Sequence, residues 1–439
     1  MSIRTKGKEI ILRALLLCLC AVLAVGCACA EETKTVNLGN GGKNSLVYGT
    51  TLSDGRILMV GTRAKIDESL GSGRLLCLNP DRTVSWEYID DGFIDGRFID
   101  AAELEDGTIG LVFGHLAEDE KKEYKYQYAL RFFTTDGEPT GQVVNIPFRG
   151  DQMDIRNATK SRLQMDCMTV LTEAGENQYR SVLDDNYLID WEGKETALMK
   201  WLGWSDATSD MIEEPDGLVM NGYSYLDDRA RESVLKTDLQ GETIWETKLE
   251  CAWPDTYRAD AKRIIRSGDG GYLVLQEEPI LPEGDTEWRY RYALVKLDGE
   301  GKVLWTRTEG FEGTAERGWT LAAAGGKIAV SFLSVDKNGV SFRADSPRRI
   351  AWFDENGKFL GNVELELDLE YFPQLKRTIQ RKIMGKEPDL LFYEDRMISM
   401  DGGLWMSGKF IVEYNDNNNV AVLEYYNTGL FKVPEPSEK

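Results

Sequence analysis

The sequence predicts an all-β protein, a seven-bladed β-propeller of four-stranded antiparallel blades. Three observations predict it: two sequence anchors recur with a period of about 50 to 60 residues, each anchor counts to seven, and both carry hairpin turn chemistry. The first anchor is a turn followed by a β-rich apolar run. It stands at Asp54-Gly55-Arg56-Ile57-Leu58-Met59-Val60 and returns at Asp106-Gly107-Thr108-Ile109, Asp216-Gly217-Leu218-Val219 and Asp269-Gly270-Gly271-Tyr272-Leu273-Val274. Two more copies are Gly325-Gly326-Lys327-Ile328-Ala329-Val330 and Asp401-Gly402-Gly403-Leu404-Trp405. From Asp54 to Asp106 is 52 positions and from Asp106 to Asp216 is 110, so one copy has decayed. Its place falls near Met165 to Leu171, where Cys167-Met168-Thr169-Val170-Leu171 is strand-like without the turn.

The second anchor follows about 25 to 35 residues later and reads apolar strand, tight polar turn, apolar strand. Its clearest copy runs from Ala293 to Trp305 through Asp298-Gly299-Glu300-Gly301. Close copies run from Val234 to Trp245 and from Ile350 to Leu360, and looser ones centre on Asn79 to Trp86, Thr135 to Val143, Asp190 to Ala197 and Tyr426 to Phe431. Four short strands per unit leave both faces of each sheet apolar, and radial packing against neighbours buries them. Trp86, Trp245 and Trp305 follow the second turn and so belong to the outer strand, where a large aromatic wedges between blades.

Ring closure sets the ends. Thr33-Lys34-Thr35-Val36-Asn37-Leu38 is β-compatible, and the last unit has strands near Met397 to Met400, Leu404 to Phe410 and Val420 to Tyr425. Its fourth strand is either Leu430 to Val433 or the N-terminal segment. An open ring leaves unpaired edges, so Val36 to Leu38 is expected to pair into the blade containing Trp405. The resulting organisation is residues 31–435 as one propeller domain and 436–439 as a tail.

One unit is overlong. From Gly326 to Gly403 is 77 positions, and the excess falls at 370–389. Leu375, Ile379 and Ile383 lie on one helical face, bracketed by Pro373 and Pro388, which predicts a helical insertion near 370–389. Lys376, Arg377, Arg381, Lys382 and Lys386 give this stretch a net charge of +4. The basic face either docks on the acidic body or offers Lys376, Arg377, Arg381 and Lys382 to a partner.

Asp298-x-x-Gly301-x-x-x-Trp305 and Asp238-x-x-Gly241-x-x-x-Trp245 resemble the repeats of PQQ-like, quinoprotein-type propellers, whose Gly-x-x-x-Trp docks one blade on the next. The resemblance extends as a pattern over nearly the whole chain after residue 30, with two or three repeats matching well. The Asp-to-Gly spacing is one shorter than in the quinoprotein motif, and there is no vicinal cysteine pair. The resemblance therefore implies a propeller fold in a non-catalytic relative, without PQQ or another cofactor.

Composition narrows the function. The chain has 439 residues with a net charge of −22, a surface that repels phosphates and argues against nucleic-acid binding. His115 is the sole histidine, which rules out His-rich zinc sites and H-E-x-x-H proteases; at a strand end it reads as an ordinary loop residue. Residues 1–30 read as a secretory signal. Arg4, Lys6, Lys8 and Arg13 precede the 12-residue apolar run Ala14 to Val25, and Ala28-Cys29-Ala30 fits a cleavage site before Glu31. The alternative is a lipobox at Ala24-Val25-Gly26-Cys27, with lipidation on Cys27. Removing residues 1–30 takes away four basic residues and one acidic residue, moving the charge from −22 to −25. No later run approaches 18 apolar residues, so no transmembrane segment is expected in the mature chain.

The three cysteines beyond residue 30, Cys77, Cys167 and Cys251, read as buried hydrophobe-like residues. Asp90, Asp91, Asp95 and Asp100, and Asp416 with Asn417 to Asn419, are oxygen-rich but match no calcium-loop spacing. No G-x-S-x-G elbow, Walker loop or C-x-x-C pair appears after the signal, so no catalytic, cofactor or metal residue is assigned. The expectation is an exported, monomeric, non-catalytic propeller binding a protein or glycan of the cell envelope. The alternative is a glycan-active hydrolase or lyase using paired carboxylates.

Overall fold

The computed structural model describes residues 34–39, 43–64, 71–93, 95–118, 124–147, 152–170, 182–199, 210–224, 231–256, 259–280, 289–311, 316–336, 339–340, 343–379, 389–401, 403–416 and 419–436. They form seven sheets, each an antiparallel run of four neighbouring strands, as the repeat predicts. The sixth blade adds a two-residue strand, Gly339–Val340. The innermost strands are Lys43–Thr51, Arg97–Glu103, Gln152–Ala158, Met211–Glu214, Asp260–Arg266, Glu316–Ala324 and Asp389–Met400, in blades 1 to 7.

The local turn chemistry explains why the second anchor folds as it does. In blades 3 to 6 the carboxylates of Asp190, Asp238, Asp298 and Asp354 each accept hydrogen bonds from the main-chain N–H groups two and four residues on. The glycine at the third position then adopts the left-handed conformation, with φ of 75° at Gly193, 82° at Gly241 and Gly301, and 76° at Gly357. That geometry closes a three-residue hairpin with a bulge in the strand that follows. In the first blade Arg82 fills this position with φ of 71°. The decayed first-anchor copy keeps its turn without glycine: the Thr159 hydroxyl accepts from the Arg162 N–H at 3.1 Å.

Between blades lie seven apolar clusters, one per seam. Leu58, Val60 and Leu75 of blade 1, for example, meet Phe98, Leu111 and Phe113 of blade 2. Trp86, Trp245 and Trp305 sit on outer strands, as expected. Each covers the turn glycine of the next blade: a Cβ added to Gly137, Gly301 or Gly357 would stand 2.6, 2.5 or 2.7 Å from the respective indole. The three indoles are half-buried.

Blade 7 closes the ring as the N-terminal strand predicts. Thr35–Asn37 pairs antiparallel with Phe431, Leu430 and Gly429, and so forms the outer strand of the blade that contains Trp405. The expected turn near Tyr426 to Phe431 is absent, because Asn419–Lys432 runs as one strand and leaves the fourth place to the N-terminus. The expected helical insertion is shorter than 370–389 among the described residues. It comprises a 3₁₀ turn at Leu369–Tyr371 and a helix at Pro373–Ile379, while strand pairing already begins at Asp389. Cys77 and Cys167 are buried and in no disulfide, but Cys251 is exposed, because it lies in the connection after the outer strand of blade 4. His115 is not in a loop; it sits within the strand Ile109–Glu118 and pairs with Gln127. Its ring stacks on Phe113 at 5.5 Å, and burial pushes its pKa down.

Candidate functional site in the central cavity

Seven innermost strands surround a central cavity of about 1230 Å³. Its wall is charged and balanced in sign: Asp95, Asp100, Asp154, Asp210 and Asp395 face Arg97, Arg263, Arg266, Arg396 and Lys409. The strand period puts alternate side chains on opposite faces, yet Asp395 and Arg396 are consecutive and both line the cavity. A bulge between Glu394 and Met397 makes this possible. Bulges interrupt the innermost strands of blades 1, 2, 3, 5 and 6 as well.

The bulges free main-chain groups, and neighbouring blades use them. Every seam carries a hydrogen bond between a side chain of one blade and the main chain of the next. Ser53 N–H donates to Glu103, Ala158 N–H to Asp100 at 2.7 Å, and Ser161 N–H to Glu213 at 2.9 Å. Ile264 N–H donates to Asp210 at 3.0 Å, and Arg263 Nε donates to the Trp319 carbonyl at 3.1 Å. Trp319 Nε1 donates to the Glu394 carbonyl at 2.9 Å, and Tyr48 N–H to Asp395 at 2.7 Å. Asp100, Asp210 and Asp395 thus face the cavity while each grips the following blade.

The electrostatics of this layer are uneven. Burial pushes the Asp100 carboxyl up to about 7, against its hydrogen bonds to main-chain N–H groups, and the negative charge of Asp395 adds to the rise. Arg396 extends from blade 7 to Asp210 at the entrance to blade 4, on the far side of the ring, at 3.3 Å. Arg263 meets the same Oδ1 atom of Asp210, also at 3.3 Å. The Arg396 side chain nevertheless stays 47% exposed, so this part of the wall is reached from the cavity. At the rim, the Tyr126 hydroxyl donates to Asp95, and the Arg97 guanidinium lies 4.4 Å above the Tyr126 ring.

The members of the first oxygen-rich group named in the sequence do not converge, and Asn417 and Asn418 of the second lie outside the described residues. Asp90 pairs with Arg131, Asp95 with Tyr126, and Asp100 is consumed in its seam. Of the four basic residues expected to meet a partner, Lys376 ion-pairs with Glu370 and Arg377 is exposed. Arg381 and Lys382 lie outside the described residues, as do Cys27 and the whole of 1–33. Among the described residues no helix is long and apolar enough to cross a membrane. Sequence reasoning missed Asp210, Arg263, Asp395 and Arg396. The innermost strands carry no shared motif, and Glu394-Asp395-Arg396 reads as an ordinary charged run until the bulge is known.

No family model and no curated protein sequence matches this chain. Among solved structures it aligns with the Penicillium chrysogenum α-L-arabinanase complexed with arabinobiose, at 11% identity over 76% of this chain and 93% of that one, with a TM-score of 0.37. The WD40 domain of SCAP from fission yeast aligns at 9% identity over 92% and 98%, with a TM-score of 0.35. A eukaryotic initiation factor aligns at 12% identity over 68% of this chain and 63% of that one, with a TM-score of 0.33. Scores this low carry no argument about function, and the fold stands on its own strand pairing.

Proposed function

We propose that this chain is an exported, non-catalytic propeller, a PQQ-like repeat protein without PQQ, that binds a protein or glycan of the cell envelope through its central cavity. The observation that supports it most is the use of the cavity carboxylates as blade fasteners. Asp100, Asp210 and Asp395 each accept a main-chain N–H from the neighbouring blade, a duty that fixes them irrespective of any substrate. A cavity of about 1230 Å³ with a polar wall is also ample for an oligosaccharide or a peptide tip. The Trp-on-Gly docking between blades supports the repeat relationship. The segment with Lys376, Arg377, Arg381 and Lys382 belongs to the same reading, as a contact for an acidic partner.

One observation favours the second reading, a glycan-active hydrolase or lyase. Asp100, held near 7 beside a carboxylate, has the protonation a general acid needs at neutral pH. A glycan array together with a panel of chromogenic glycosides separates the two. Binding without turnover is expected, on material whose N-terminus begins at Glu31 by mass spectrometry. Turnover that disappears in Asp100→Asn or Asp395→Asn overturns the binding reading.

A further inference from the structure

We propose that the cavity recognises an oxyanion carried on its ligand, a carboxylate or a sulfate or phosphate ester, through the guanidinium of Arg396 with Arg263 beside it. The inference rests on the reading above that the cavity is the ligand site, and it adds the chemical class of what enters.

Three features carry it. First, two guanidinium groups converge on one carboxylate oxygen, Asp210 Oδ1, both at 3.3 Å. Charge-assisted pairs of this kind settle near 2.7 to 2.9 Å when their geometry is satisfied, so the one oxygen shared with Arg263 leaves the Arg396 fork room for a further acceptor. The other oxygen of Asp210 is already turned to the Ile264 N–H at 3.0 Å. Secondly, Arg396 is the accessible member. It projects from a bulge, reaches across the ring and stays about half exposed, and its guanidinium lies 5.4 Å from the Tyr48 ring centroid. A planar fork with a neighbouring aromatic face suits a carboxylate on a ring-shaped ligand.

Thirdly, the negative groups of this layer are offset. Asp395 is bonded to the Tyr48 N–H and the Ser407 hydroxyl, and burial pushes the Asp100 carboxyl up to about 7. Lys409 adds a further cation to the wall. The wall is thus balanced in sign inside a chain of net charge −22. At physiological ionic strength the acidic exterior is screened beyond about 8 Å, so it does not by itself keep an anion from the Arg396 guanidinium.

Isothermal titration calorimetry on the purified chain tests this, with D-glucuronate as probe, D-glucose as its uncharged counterpart and inorganic sulfate as the anion without a sugar. Glucuronate, sulfate or both are expected to bind and glucose not to, with binding weakened by added sodium chloride. Arg396→Gln is expected to weaken anion binding at least tenfold, and Arg396→Lys, which keeps the charge but loses the fork, about threefold to fivefold. Glucuronate binding identifies a carboxylated ligand; sulfate binding alone identifies a sulfate or phosphate ester. Equal binding by wild type and Arg396→Gln, equal binding of glucose, or binding of neither anion overturns the proposal. If Arg396→Gln fails a thermal-melt check for folding, Arg396→Lys and the salt dependence decide, and full affinity in Arg396→Lys without salt dependence overturns it. Capture of neutral glycans with no anion binding defeats this inference and leaves the binding reading standing. Glycan turnover lost in Asp100→Asn defeats the binding reading itself.

Discussion

At the residue scale, the second anchor works because one aspartate and one glycine divide the labour of a turn. The aspartate holds the loop N–H groups, and the glycine supplies the positive φ. The glycine has a second duty that its conformation does not reveal, since the indole of the preceding blade rests directly on it. Gly301→Ala therefore meets two penalties. A side chain in the left-handed region costs about 1 to 2 kcal/mol, and the new Cβ would stand 2.5 Å from Trp245, forcing the ring to move. A loss of about 2 to 4 kcal/mol is expected by denaturant unfolding, and a change below about 0.5 kcal/mol would show that the contact is slack. Trp305→Ala is expected to cost about 2 to 3 kcal/mol, less than the 3 to 5 of a fully buried aromatic, because its ring is half-buried. Both losses should come with an unchanged far-UV spectrum at 25 °C.

At the scale of the element, the innermost strands combine packing and electrostatics. Asp100 and Glu394 both sit in them, and burial raises both carboxyls to about 7. Such a group keeps its proton in the folded chain at a pH where the unfolded chain, near 4, has lost it. Its contribution to stability is full below about pH 4 and is lost as pH climbs toward 7, with a slope of up to about 1.4 kcal/mol per pH unit per group. Asp100→Asn keeps an acceptor for the Ala158 N–H and removes the titration. Melting curves from pH 4 to pH 7 should show the variant gaining on wild type as pH rises, with Glu394 cancelling from the difference. Parallel curves would mean that Asp100 is ionised across that range. The hairpins around these strands were legible in the sequence, because Asp, Gly and apolar alternation are local signals. The cavity chemistry was not. Asp395 and Arg396 become neighbours in the channel through a bulge, and Asp210 meets Arg396 across 186 positions of chain, a relation that no local pattern encodes.

At the scale of the whole molecule, stability depends on joining the two ends of the chain. The N-terminal strand was legible because a ring with an open edge is physically costly, not because its six residues are distinctive. The structure fastens it at several points: Leu38 N–H donates to the Thr428 carbonyl at 2.9 Å, Lys432 N–H to the Lys34 carbonyl at 2.7 Å, and Asn37 Nδ2 to the Tyr371 carbonyl at 2.9 Å. The buried Arg74 of blade 1 donates to the Leu38 carbonyl at 2.9 Å and to Asn44 at 3.1 Å, tying the strand to the first blade as well as the last. Thr35 and Leu38 are themselves buried. Removing residues 31–39 therefore strips a strand from blade 7, uncovers Leu430, and leaves the Arg74 guanidinium short of an acceptor. The cost should exceed the ~1 kcal/mol of a typical point change several-fold and lower the melting temperature by several degrees. The strand Asn419–Lys432 then becomes an edge open to pairing with other chains, so the truncated protein should also associate at micromolar concentration in sedimentation experiments. A synthetic peptide of residues 33–40 should restore both properties, because strand addition re-forms the same main-chain ladder. An unchanged melting temperature and a monomeric truncated chain would show that the blade closes without its N-terminal strand.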